Sequence, residues 1–179
     1  GHIQVDSKHR IRRVIIAFDS KKERNFLQKV FNVLRNMKLS PKVKEWDKGT
    51  SVIIVNSKVF TEFLISLGIP PGKKSDKVAI PSAILSNENL TKCFIRGLFD
   101  SDGCVVNRRK KHEKRIEFFS KSEKLIEQIS IFLRKLGVDH SVRFVKRDKG
   151  FIISITREKS RQLFIKEIGL SNEKLLKNL

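Results

Sequence analysis

Asp100 and Asp102, followed at once by Gly103, are the residues of this chain best placed to do chemistry. They close a run from Leu90 to Asp102 whose apolar residues Leu90, Phe94, Leu98 and Phe99, with Ile95 beside them, recur at helical spacing. Both carboxylates then fall at a helix C-terminus, where the macrodipole disfavours negative charge. A cation would relieve that placement. A hard divalent ion such as Mg²⁺ takes carboxylate oxygens, and it can activate water against a phosphodiester. A turn that merely ends the helix fits Asp100-Ser101-Asp102-Gly103 equally well. Gly97, in mid-helix, costs about 1 kcal/mol against Ala, a cost that accompanies close approach of another backbone.

The setting is strongly basic. Lys and Arg total 39 against 19 for Asp and Glu, a formal charge of +20 over 179 residues, and the pI is near 10.3. Such an excess creates a field that attracts polyanions, and the clustering of the basic residues points to nucleic acid. Cys93 and Cys104 form neither a disulfide framework nor a zinc signature, and are expected to be small buried apolar residues. His2, His9, His112 and His140 share no ligand spacing, and Trp46 is expected to pack at a strand end. No apolar run approaches the ~20 residues of a membrane span, and a cytoplasmic, nucleoid-associated location is expected.

The elements that position these residues come as an internal repeat. Gly1-His2-Ile3-Gln4-Val5 matches Gly103-Cys104-Val105-Val106-Asn107, and each opens a basic stretch. Two amphipathic stripes follow with one spacing: Phe26, Leu27, Val30, Val33, Leu34 and Met37, then Leu125, Ile126, Ile129, Phe132, Leu133 and Leu136. Asp47-Lys48-Gly49 matches Asp148-Lys149-Gly150, where each Gly suits the positive φ of a hairpin turn. Val52 to Val55 matches Ile152 to Ile155, and Phe63 to Ile69 matches Phe164 to Leu170, with Gly68 and Gly169 as helix C-caps. Each half reads as strand, strand, helix, strand, strand, helix. Consecutive hairpins imply an antiparallel sheet with helices segregated to one face, an α+β class. The halves are expected over 1–69 and 87–170, with a breaker-rich linker over 70–86 and a helical tail over 171–179. Asn87 or Asn89 can cap the helix that carries Asp102, with Glu88 in its first turn, and Ser171 or Asn172 can cap the tail.

Phe94 through Gly103 resembles the LAGLIDADG (dodecapeptide) motif of homing endonucleases encoded by introns and inteins, in the variant of intein-borne and archaeal members. Together with the repeat and the basic surplus, the resemblance covers essentially the whole chain. It implies a duplicated αββαββα fold with two saddle-like sheets about a pseudo-twofold axis. It also implies a monomer that cleaves double-stranded DNA at a long recognition site, uses Mg²⁺ (or Mn²⁺) and leaves short 3′ overhangs. Gly97 takes the helix-packing position of the family, Asp102 the catalytic, metal-binding acid, and Gly103 the exit glycine. Asp100 matches a usually structural Asp, and Arg96 stands where a small packing Ala is usual. Lys121, at a strand-to-helix junction matched by Lys21, is a weaker catalytic candidate.

The repeat places Gly1 where Gly103 stands, so the resemblance implies a first motif helix ahead of Gly1, on another segment or chain, or lost if Gly1-His2 is a cloning remnant. As written, the chain offers one of two expected acids and should bind DNA while cutting it poorly. The family places its strands in the major groove, whose edges distinguish all four base pairs. The candidate DNA contacts are Arg10, Arg12, Arg13, Lys42, Lys44, Arg108, Arg109, Lys111, Arg115, Arg143, Lys146 and Arg147, some on phosphates and fewer on bases. Two other functions fit the same residues: an intron RNA maturase and a nuclease-dead DNA-binding protein.

Overall fold

The computed structural model describes residues 1–72, 76–108 (the last by its backbone) and 113–179. The first half runs β1 (His2–Asp6), β2 (Ile11–Asp19), α1 (Arg24–Asn36), β3 (Pro41–Asp47), β4 (Thr50–Asn56) and α2 (Lys58–Ser66). The second runs α3 (Ser82–Leu85), α4 (Glu88–Asp102), β5 (Gly103–Arg108), β6 (Glu113–Ser120), α5 (Glu123–Lys135), β7 (Ser141–Val145), β8 (Gly150–Ile155), α6 (Glu158–Glu167) and α7 (Glu173–Leu176). The chain forms two compact units, Gly1–Lys74 and Ser75–Leu179. Each holds a four-stranded antiparallel sheet, ordered β1-β2-β4-β3 in one and β5-β6-β8-β7 in the other. The expected α+β class and the duplicated topology are both present.

Strand alternation sorts each sheet into a helix-covered and a helix-free face. In the first unit Ile3, Val14, Phe18, Ile53 and Val55 pack with Phe26, Leu27, Val30, Phe31 and Leu34 of α1 and with Phe60, Leu64 and Ile65 of α2. In the second, Val105, Ile116, Phe118, Ile153 and Ile155 meet Leu125, Ile126, Ile129, Phe132 and Leu133 of α5, Ile95 and Phe99 of α4, and Phe164 of α6. Phe99 is wholly buried, with its ring centroid 4.8 Å from that of Phe164 and 5.2 Å from that of Phe118. Burial of such a ring contributes about 1.5–3 kcal/mol.

Local sequence explains the helix that matters most. Asn87 caps α4 by accepting from Leu90 N at 3.0 Å, and Glu88 lies in the first turn. The buried face of α4 is Thr91, Ile95, Phe99 and Asp100; Leu90, expected on that face, is 51% exposed. Ser122 caps α5 through Leu125 N, and Asn172 caps α7 through Lys174 N.

The two copies differ where the second unit has more to cover its helices. Along α5 the expected stripe is buried or half-buried to Leu136, with Val78, Ile80 and Ile84 in the same core. Gln128 Oε1 accepts from Ile80 N at 2.8 Å, which pins that segment. Along α1 only Leu34 is buried, while Val33 and Met37 are exposed. Phe63 is 51% exposed, whereas its match Phe164 is wholly buried against α4. Among the described residues the first unit has no counterpart of α4.

Three further expectations are corrected. Cys93 and Cys104 are exposed rather than buried: Cys93 lies off the buried face of α4, and Cys104 pairs with Glu117 on the helix-free side of the sheet. Trp46 is exposed, at the register shift between Glu45 and Asp47. Gly49 has the expected positive φ of 110°, but in the second hairpin Lys149 takes it, at 49°, and not Gly150.

Candidate nucleic-acid interface and acidic site

At the C-terminal end of α4 the two acids have separate environments. Asp100 is buried; its carboxylate accepts from Ser171 N at 2.7 Å, from Asn172 N at 3.0 Å and from the Ser171 hydroxyl. Asn172 Nδ2 donates to the Asp100 carbonyl at 2.8 Å. These bonds offset the unfavourable dipole and join α4 to the α6–α7 connection. Asp102 is exposed and has no hydrogen bond or ion pair among the described residues. The two carboxylates therefore do not act as a pair, in keeping with the structural role that the resemblance gave Asp100. Asp100 is spent on structure, and Asp102 alone is available.

The glycines of the motif also part company. A β-carbon on Gly103 would lie 2.3 Å from the Phe99 carbonyl oxygen, so only glycine lets the chain leave α4 directly into β5. A β-carbon on Gly97 would meet nothing within 4 Å, so that face of α4 is open. Arg96 does not crowd it, because its Nε donates to the Ile168 carbonyl at 2.6 Å.

Register assigns the expected DNA-contacting residues to faces. On the first sheet Arg13, Lys42 and Lys44 share the helix-free face with Gln4, Ile15, Val52 and Ile54. Arg13 Nε donates to Gln4 Oε1 at 2.8 Å. Ile15, Val52 and Ile54 form a small buried apolar cluster of their own on this face. Arg12 falls on the helix-covered side, with Nε 3.8 Å from Glu62 of α2. Arg10 lies in the β1–β2 turn with φ 52°.

On the second sheet Arg115 and Arg143 lie on the helix-free face, while Lys114 turns to the other side and donates to the Leu179 carbonyl at 2.7 Å. Arg108 ends β5 opposite Glu113. Lys146 and Arg147 occupy the exposed β7–β8 turn. Lys121 is exposed, in a recess it shares with Phe119, Arg147, Asp148 and Lys149. Arg109 and Lys111 lie outside the described residues. Sequence reasoning missed Glu117, which sits beside Arg115 on the helix-free face; the alternation of buried Ile116 and Phe118 was the signal that placed it there. Among the described residues no three His, Cys, Asp or Glu side chains come together as a metal-binding group, and no helix is long and apolar enough to cross a membrane.

Comparison with known proteins agrees with this geometry. A LAGLIDADG-like domain model matches residues 89–169, and the WhiA LAGLIDADG-like domain model matches residues 18–71. The chain is 30% identical over 165 residues to the replication factor C small subunit of Methanocaldococcus jannaschii, covering 90% of this chain and 8% of that protein. It is also 30% identical over 174 residues to the reverse gyrase of the same organism, covering 94% of this chain and 9% of that protein. The chain thus spans under a tenth of the length of either relative. Among solved structures, the homing endonuclease I-DmoI in complex with DNA and Mn superposes with a TM-score of 0.66 at 18% identity, over 94% of this chain and 88% of that one. The chain belongs to the LAGLIDADG family, in its two-repeat form. Its fold is that of the homing endonuclease I-DmoI.

Proposed function

We propose that this chain is the DNA-binding and cleaving module of a site-specific homing endonuclease, borne as an insertion within a host protein. One observation carries the reading: a solvent-exposed acid, Asp102, stands where α4 runs into a sheet whose helix-free face presents cations, and that sheet is duplicated. The relatives support the insertion. A replication-factor subunit and a reverse gyrase are different machines, yet nearly all of this chain resembles under a tenth of each. A stretch shared by unlike hosts is what a mobile, intein-like element leaves.

Double-stranded DNA is bound by the helix-free faces. Arg13, Lys42, Lys44 and Arg143 face the groove, and the turns carrying Arg10, Lys146 and Arg147 meet phosphates. Mg²⁺ or Mn²⁺ suits a single carboxylate, because such an ion keeps waters and takes its other ligands from substrate phosphate. Asp102 would hold it, and the ion would supply activated water and charge stabilisation. Lys121, at the β6–α5 junction, offers a positive charge in the recess it shares with Arg147 and Lys149. A second acid, on a helix of α4's kind from another segment or chain, would cover Phe63 and complete double-strand cleavage.

Duplexes selected by the chain from a random pool define a site for a supercoiled-plasmid assay in Mg²⁺, run beside binding in Ca²⁺. The chain alone should bind tightly and cut poorly. Adding the second helix should give double-strand breaks, and Asp102→Asn should abolish them with binding retained. Cutting by Asp102→Asn would overturn the assignment. DNA binding without cleavage is the second reading, favoured by the isolation of Asp102.

A further inference from the structure

On the helix-free face of the second sheet, Arg115 and Glu117 of β6 form a clasp. Arg115 Nε is 2.9 Å from Glu117 Oε1, off the N–H axis, and Arg115 Nη1 donates to Glu113. Glu117 Oε1 also accepts from the Ser154 hydroxyl of β8 at 2.7 Å. The side chains of Arg115 and Glu117 are 20% and 14% exposed, so both are held in place and still reachable. β6 is an interior strand, and the register neighbours of the clasp on the same face are short: Cys104 and Val106 on one side, Ser154 and Ser141 on the other.

The duplicate sheet shows that the fold does not need this polar pair. Arg13 occupies the position of Arg115, opposite Gln4 where the second unit has Val106. Where the second unit pairs Glu117 with Ser154, the first pairs Ile15 with Ile54, both buried. An apolar pair satisfies the same architecture, so a half-buried carboxylate is a costly choice for stability alone.

Its chemistry suits a base edge rather than a phosphate. A carboxylate repels phosphate but accepts from the N4 amino group of cytosine, and a guanidinium donates to O6 and N7 of guanine. A G·C pair presents both groups side by side in the major groove. We infer that the Arg115–Glu117 clasp reads a G·C base pair within the bound site. The inference rests on the double-stranded DNA reading above.

The test is enrichment from a random duplex pool by the parent chain, Glu117→Gln and Arg115→Gln, followed by titration of one selected and one scrambled duplex. Glu117→Gln is isosteric and keeps an acceptor for Ser154. With one negative charge fewer on the DNA face, it should bind the scrambled duplex about two- to fivefold more tightly. It should also lose about tenfold in preference for G·C at one position. Arg115→Gln should lose the same preference while binding both duplexes more weakly. Unchanged preference at every position in both variants would make the clasp purely structural and overturn the inference, with the DNA reading intact. Loss of fold in both variants, seen by circular dichroism, would overturn it likewise. A parent chain that binds no duplex would sink the functional reading itself.

Discussion

The ring of Phe119 lies against Gly150: a β-carbon on that glycine would come within 2.6 Å of Phe119 Cζ and 2.8 Å of the Ser120 carbonyl oxygen. Close packing requires glycine here, and the turn's positive φ belongs to Lys149. Gly150→Ala should therefore destabilise the chain by about 1–3 kcal/mol through overpacking. A lower urea midpoint at unchanged m-value would record it.

Gly97→Ala and Gly103→Ala should act in opposite directions. Gly97 lies in an open stretch of α4, and Ala there should stabilise the chain alone by up to about 1 kcal/mol. Gly103→Ala collides with the Phe99 carbonyl and should lower the melting temperature. Equal effects of the two changes would contradict the placement of the motif.

The two acids of α4 should separate stability from activity. Asp100→Ala strands three donors at Ser171 and Asn172 and should cost about 2–4 kcal/mol. Asp102→Asn, on an exposed side chain, should leave the denaturation curve unchanged. Chemical denaturation of both variants distinguishes them.

Lys92 bridges Glu167 at 2.9 Å and Glu88 at 3.2 Å, and Lys135 also reaches Glu88, at 3.0 Å. The hydrogen bond from Lys135, then that from Lys92, holds Glu88 below its ordinary 4.5, and Lys92 holds Glu167 below it. Glu167, then Glu88, raises Lys92 above 10.5. Lowered carboxylates stabilise the fold above pH 4.5 and lose that contribution as pH falls through their folded values. The raised amine contributes below pH 10.5 and loses its share as pH climbs past the folded value. Lys92→Met should therefore flatten both limbs of a stability–pH profile, which pH-resolved thermal melts would measure.

Salt dependence should sort the cations by face. Each phosphate contact removed lowers the slope of log K against log salt by roughly 0.9. Lys146→Ala, in the exposed β7–β8 turn, should reduce the slope, whereas Arg12→Ala, beside Glu62 on the helix-covered side, should leave it unchanged. The reverse ranking would move the DNA surface to the other side of the sheet.

Much of this architecture was legible because periodicity and internal matching are local. The succession of strands and helices along the chain, the glycine caps at Gly68 and Gly169 and a cap at Asn87 or Asn89 all follow from short patterns, whereas the β2–β4 and β6–β8 pairings do not. The exposure of Val33, Met37 and Phe63 was not, since each belongs to an apolar stripe whose partner depends on packing from elsewhere. The face of Arg12 was not read, because a basic run carries no parity until its apolar neighbours Val14 and Ile16 fix it. Asp100 and Asp102 look alike in sequence, and only the distant Ser171 and Asn172 tell them apart.

The uneven covering of α1 and α5 has a consequence for how the molecule comes apart. The second unit buries α5 beneath Val78, Ile80 and Ile84, while the first leaves α1 with one buried side chain. Two copies of one topology are then two cooperative blocks of unequal depth, since amide protection follows buried contacts. Native-state deuterium uptake should reach the α1 amides through a shallow local opening, and the α5 amides only when the larger block unfolds as a whole.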